Sequence, residues 1–99
     1  MTRPDVSALR ILVVEDEFLL ADELARGLRA AGAIVLGPVG AVDDALDLIE
    51  ATDALDAAVL DLNLQGEMAF PVADALKNRG VPFVFATGYD EAVIPPRFS

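Results

Sequence analysis

Ala57-Ala58-Val59-Leu60-Asp61-Leu62-Asn63-Leu64 is the stretch against which the rest of this chain is read. Four apolar residues make a run of strand length, and it stops at a carboxylate where a strand should give way to a loop. Two other segments follow the same pattern. Ile11-Leu12-Val13-Val14 runs into Glu15-Asp16-Glu17, and Phe83-Val84-Phe85-Ala86 runs into Thr87. In an open parallel sheet the carboxyl ends of the strands form the crevice where ligands bind. The three strand ends therefore predict one spot where acids and a hydroxyl converge, chemically suited to a metal ion and a phosphoryl group.

Outward from these strands the chain alternates regularly. The first strand spans Arg10–Val14, and a helix follows with Leu20, Leu24 and Leu28 at i, i+4 spacing and Ala21 and Ala25 beside them, one apolar stripe. Gly32 stands where a left-handed helix cap costs least. A second strand, residues 34–39, contains Gly37-Pro38; proline cannot donate to a ladder, which puts this strand at a sheet edge. The next helix, residues 42–51, turns Val42, Ala45, Leu46 and Ile49 inward and Asp43, Asp44, Asp47 and Glu50 outward. After the third strand comes a loop, residues 62–66. A third helix, residues 70–79, carries Pro71 in its first turn and is closed by Gly80. Pro82 opens the fourth strand, and residues 90–94 predict one helical turn stopped by Pro95-Pro96. All four strands are continuous apolar runs, the pattern of a parallel sheet covered on both faces. The expected fold is a single doubly wound, flavodoxin-like α/β domain over residues 1–99.

Composition narrows the function. With 17 acids against 7 bases the formal charge is −10, which repels phosphate backbones and argues against nucleic acid as a partner. The absence of cysteine excludes thiolate metal sites, and the absence of histidine removes the usual zinc ligand and the commonest general base. The longest apolar stretch, residues 33–42, is too short to cross a bilayer. Met1-Thr2-Arg3-Pro4-Asp5 lacks the basic start and apolar core of a signal peptide, so a cytoplasmic domain is expected.

Hard divalent cations such as Mg2+ take carboxylate and carbonyl oxygens, and Glu15, Asp16 and Asp61 supply the carboxylates. An ionised carboxylate is also a nucleophile able to form an aspartyl phosphate. Thr87 offers a hydroxyl to a phosphoryl oxygen, and Gly88 leaves its N–H open.

Val13-Val14-Glu15-Asp16-Glu17, Asp61-Leu62-Asn63-Leu64 and Phe85-Ala86-Thr87-Gly88-Tyr89, in this order and spacing, resemble the receiver domain of bacterial two-component response regulators. The resemblance covers nearly all of residues 8–90. The last motif, preceded by Pro82-Phe83-Val84, is similar to that of single-domain receivers with a Phe-Ala-Thr-Gly signature. The resemblance implies that Asp61 accepts phosphate from a histidine kinase or histidine phosphotransfer protein and passes the signal to a downstream protein. It also implies that Asp16 ligates Mg2+ directly, Glu15 holds it through water, and the Asn63 carbonyl completes the protein ligands. Thr87 becomes the switch hydroxyl, and Tyr89 a residue able to couple it to the surface.

Some features depart from that pattern. Receivers usually carry a fifth strand ending in a lysine, then a fifth helix, about 20 further residues. Here the one lysine, Lys77, lies on the third helix, and Gln65 stands where many receivers have proline. Without a fifth strand, the fourth would present an open edge that recruits a second copy, a homodimer. Two alternatives follow: a non-phosphorylated pseudo-receiver that acts by docking, and a dehalogenase-like phosphatase. The phosphatase wants a second aspartate two residues after the nucleophile, where Asn63 cannot move a proton. A turnover enzyme is therefore not expected.

Overall fold

The computed structural model describes residues 7–86. Its elements are β1 (Arg10–Val14), α1 (Phe18–Ala30), β2 (Ile34–Val39), α2 (Val42–Ala51), β3 (Ala57–Leu60), β4 (Asn63–Leu64), β5 (Glu67–Met68), α3 (Phe70–Asn78) and β6 (Phe83–Phe85). The four long strands form one parallel sheet in the order β2-β1-β3-β6, as a doubly wound domain requires. β6 is the fourth strand of the sequence reading. The homodimer expected through its outer edge depends on residues beyond 86, outside the described residues, as does the helical turn expected at 90–94.

Local chemistry accounts for the elements. β2 is an edge strand, and Leu12 pairs with Leu36 while Val14 pairs with Val39, so β2 holds one extra residue around Gly37-Pro38. A bulge at an edge is where a ladder tolerates proline. Gly32 adopts φ +98° after α1 and Gly80 φ +69° after α3, both as their helix-end positions led one to expect.

The strands divide their side chains between two layers. Leu12, Val14, Ala58 and Leu60 pack with Val42, Ala45 and Ile49 of α2 and Val72, Ala73 and Leu76 of α3 in one buried cluster. On the opposite face Ile11 and Val13 lie buried, as do Ala21 and Ala25 of α1. Two expectations change here. The inward line of α1 is Ala21–Ala25, whereas Leu24 and Leu28 are half-buried and Leu20 is exposed; small side chains let the helix sit close to the sheet. Coverage on both faces holds for the central β1 but not at the edges, where Ile34 and Val84 are exposed.

The loop expected at residues 62–66 is instead most of a small antiparallel hairpin. Asn63 pairs with Met68 and Leu64 with Glu67, through a turn in which Gln65 and Gly66 take φ +54° and +84°. Leu62 and Leu64 are buried beneath it, and the Ala69 N–H donates to the Leu62 carbonyl at 2.8 Å, tying the hairpin to the start of α3.

Candidate functional site

Strand register builds the site. Val14 lies opposite Leu60, and the ladder continues one residue past each strand, with the Asp61 N–H donating to the Val14 carbonyl at 2.8 Å and the Glu15 N–H to the Val39 carbonyl at 2.9 Å. Glu15 and Asp61 therefore leave the sheet side by side. The backbone turns after Glu15 into the approach to α1, which brings Asp16 to the same side. One carboxylate oxygen from each of Glu15, Asp16 and Asp61 falls in a group within 4.8 Å. Gly40, ahead of α2, packs so close that a Cβ there would come within 3.2 Å of the Asp16 Cα.

The three carboxyls differ in environment. Glu15 is buried, Asp61 half-buried and Asp16 exposed. Glu15 Oε2 accepts the Glu17 N–H at 3.1 Å, while Oε1 is buried with no donor among the described residues. Desolvation is the main cause that pushes the Glu15 carboxyl up, from an ordinary 4.5 to about 7, and the Asp61 and Asp16 carboxyls beside it add to the rise; the Glu17 N–H opposes it. A buried oxygen facing two other carboxylates can be satisfied by a shared proton or by a cation. This donor set, all oxygen and all anionic, fits a hard divalent ion.

Of the other residues expected at the site, Asn63 stands two positions after Asp61, at the start of the hairpin, where its Oδ1 accepts the Gly66 N–H at 2.9 Å. Thr87, Gly88 and Tyr89 lie outside the described residues. The Ala86 N–H donates to the Leu60 carbonyl at 2.8 Å, so the chain is still in the ladder one residue before Thr87.

Sequence reading gave no role at the site to three neighbours. Gln65 donates its backbone N–H to Asp16 Oδ2 at 2.8 Å across 49 residues of sequence; a main-chain donor leaves no trace in residue type. Phe18 and Leu19, which open α1 next to the acids, are 78% and 74% exposed. Leu19 falls off the Ala21–Ala25 line, whereas Phe18, three residues before Ala21 and seven before Ala25, lies on it, and its exposure at the first position of the helix left no signal in the pattern.

No family model matches the sequence. The sensory transduction protein LytT of Bacillus cereus is 36% identical over 86 residues, 84% of this chain and 35% of that protein. The chain thus spans about a third of the length of the curated relatives it matches. The solution structure of SdrG from Sphingomonas melonis Fr1 superposes with a TM-score of 0.79 at 43% identity, covering 92% of this chain and 77% of that one. A BeF3-activated conformation of SdrG, from Pseudomonas melonis Fr1, gives 0.74 at 45% identity over 93% and 79%. The response regulator PhyR from Brucella abortus gives 0.71 at 26% identity, over 79% of this chain and 32% of that one.

Proposed function

This chain belongs to the receiver family of response regulators, and from that premise we propose that it is a phosphoacceptor module in which Asp61 takes a phosphoryl group from a phosphohistidine donor in the presence of Mg2+. The observation that carries this reading is the convergence of Glu15, Asp16 and Asp61 within 4.8 Å at the carboxyl ends of β1 and β3. Support also comes from the BeF3-activated form of SdrG, since beryllium trifluoride has the tetrahedral shape and charge of a phosphoryl group.

In this reading an Asp61 carboxylate oxygen bonds to phosphorus while the phosphorus–nitrogen bond to the donor imidazole breaks, its electron pair leaving with the imidazole. Asp61 suits the role because its N–H bond to Val14 pins the backbone, while its half-buried side chain stays reachable. Asp16, Glu15 and the Asn63 carbonyl would hold the ion, which supplies charge neutralisation between the carboxylates and the incoming phosphoryl group. Thr87 is the proposed switch hydroxyl, with Gly88 and Tyr89 beside it. On our reading the Phe85–Tyr89 motif places the chain with the Phe-Ala-Thr-Gly receivers. Exposed Phe18 and Leu19 beside the acids give a phosphodonor or a downstream protein an apolar contact. The pseudo-receiver alternative has the intact acid cluster against it. Among the described residues, no helix is long and apolar enough to cross a membrane.

Incubation with acetyl phosphate and Mg2+ should add one phosphoryl group by intact mass, and Asp61→Asn should add none. Label retained in Asp61→Asn, or incorporation indifferent to Mg2+ removal, would overturn the assignment.

A further inference from the structure

We infer that the backbone N–H of Gln65 is a positioning group for Asp16, and that it couples the β4–β5 hairpin to the cation held by the acid cluster. The inference rests on the metal reading above and goes beyond it to a residue that touches neither the ion nor the phosphoryl group.

Asp16 is exposed, and an exposed carboxylate ordinarily samples several rotamers. Here Oδ2 is taken by the Gln65 N–H at 2.8 Å, a charge-assisted bond of the shorter, stronger kind. One oxygen is held by the hairpin, which leaves the other to the ion and fixes the carboxylate plane before binding. The donor is itself held in place from several sides. Gln65 sits at φ +54° in the tight turn, and the Asn63 Oδ1 bond to the Gly66 N–H closes that turn. Buried Leu62 and Leu64 and the Ala69–Leu62 hydrogen bond anchor both hairpin ends. Only a residue with an N–H can fill this role, and proline is excluded at this φ in any case; what position 65 contributes here is main chain rather than side chain. Reciprocally, an ion drawing charge from Asp16 weakens the carboxylate as an acceptor, and the hairpin registers its arrival.

The test combines Mg2+ calorimetry with amide NMR on the whole chain. In the wild type, Mg2+ should shift the Gln65 amide far more than the Gly66 amide, and Asp16→Ala should abolish that shift. Without Mg2+, Asp16→Ala should move the Gln65 amide upfield and speed its exchange, leaving Gly66 unchanged. Gln65→Pro, which removes the N–H and also cannot keep the φ of +54°, should weaken Mg2+ binding by about tenfold or more, the scale of one charged hydrogen bond being the lower limit. Gln65→Gly, which restores the N–H and accepts positive φ, should recover most of the loss. If Gln65→Pro loses the Asn63–Met68 cross-strand contacts, the wild-type and Asp16→Ala amide shifts decide alone. Unchanged Mg2+ affinity in a folded Gln65→Pro, or a Gln65 amide indifferent to Asp16→Ala, overturns the coupling. Mg2+ binding unaffected by Asp16→Ala overturns the metal reading instead.

Discussion

Leu60 and Asp61 are consecutive residues on one strand end, and their surroundings are opposite. Leu60 is fully buried in the apolar cluster that residues of α2 and α3 share. Asp61 stands in a group of three carboxyls, one of which leaves a buried oxygen without a donor among the described residues. The same contrast repeats on β1 between Val14 and Glu15. The bodies of the strands agree with everything around them, whereas their ends carry repulsion that the fold alone does not relieve. Local conflict of this kind inside an otherwise consistent structure is the physical mark of a functional site.

The comparison predicts opposite outcomes from adjacent substitutions. Leu60→Ala opens a cavity at the centre of the sheet and should cost about 3–5 kcal/mol, read as a large fall in the denaturant midpoint. Asp61→Asn removes a charge from a crowded group and should leave stability unchanged or raised while ending phosphoryl incorporation. A destabilisation by Asp61→Asn comparable to that of Leu60→Ala would break the contrast, because the acid would then be part of the framework.

Glu15 sharpens the same point through pH. Its folded carboxyl titrates at about 7 against an ordinary 4.5, so between those values the folded state holds a proton that the unfolded chain releases. The associated stability is complete below about pH 4.5 and is lost as pH rises through 7. Linkage puts the difference at about 2–4 kcal/mol. Glu15→Gln carries no charge to lose, so it should melt several degrees above the wild type at pH 8 and close to it at pH 4.5. Added Mg2+ should narrow the gap at pH 8 by stabilising the wild type more than the variant, which keeps Asp16 and Asp61 but loses one carboxylate. A gap independent of pH would mean that Glu15 is ionised without penalty.

How far the sequence revealed this molecule follows the same division. Period and punctuation placed β1 and α2 to the residue and β2 at the sheet edge, because a carboxylate after an apolar run or a proline in a strand has one physical meaning in most contexts. The convergence of Glu15, Asp16 and Asp61 was legible too, since parallel register aligns strand ends. The burial of α1 was misjudged, because leucines and alanines share its stripe and only the approach distance to the sheet selects the alanines. The hairpin was read as a loop because two-residue strands have no periodicity to detect. The Gln65–Asp16 bond was invisible, being donated by main chain.

The smallest effect tests the framework where a charged group serves it. α2 has no basic residue in its last turn, and its end is instead met from α3. Arg79 donates to the Ile49 carbonyl through Nη1 and to the Thr52 carbonyl at 2.6 Å through Nη2. The guanidinium thus supplies donors to carbonyls at the negative end of a helix, and it fastens α2 to α3 below the apolar cluster. Arg79 stands just after α3, away from any strand end. Arg79→Ala should cost about 1–2 kcal/mol, since two carbonyls each lose a donor, the Ile49 carbonyl keeping the Thr52 N–H, and water replaces part of the loss. Arg79→Lys should recover less than half, because an ammonium cannot span both oxygens in the fixed fork of a guanidinium. Both variants should keep the wild-type rate of acetyl phosphate labelling and the wild-type Mg2+ affinity once measured below their melting temperatures. Loss of labelling in a folded Arg79→Ala would show that the charge acts on the acid site after all, and the division between a quiet framework and a strained strand end would have to be redrawn.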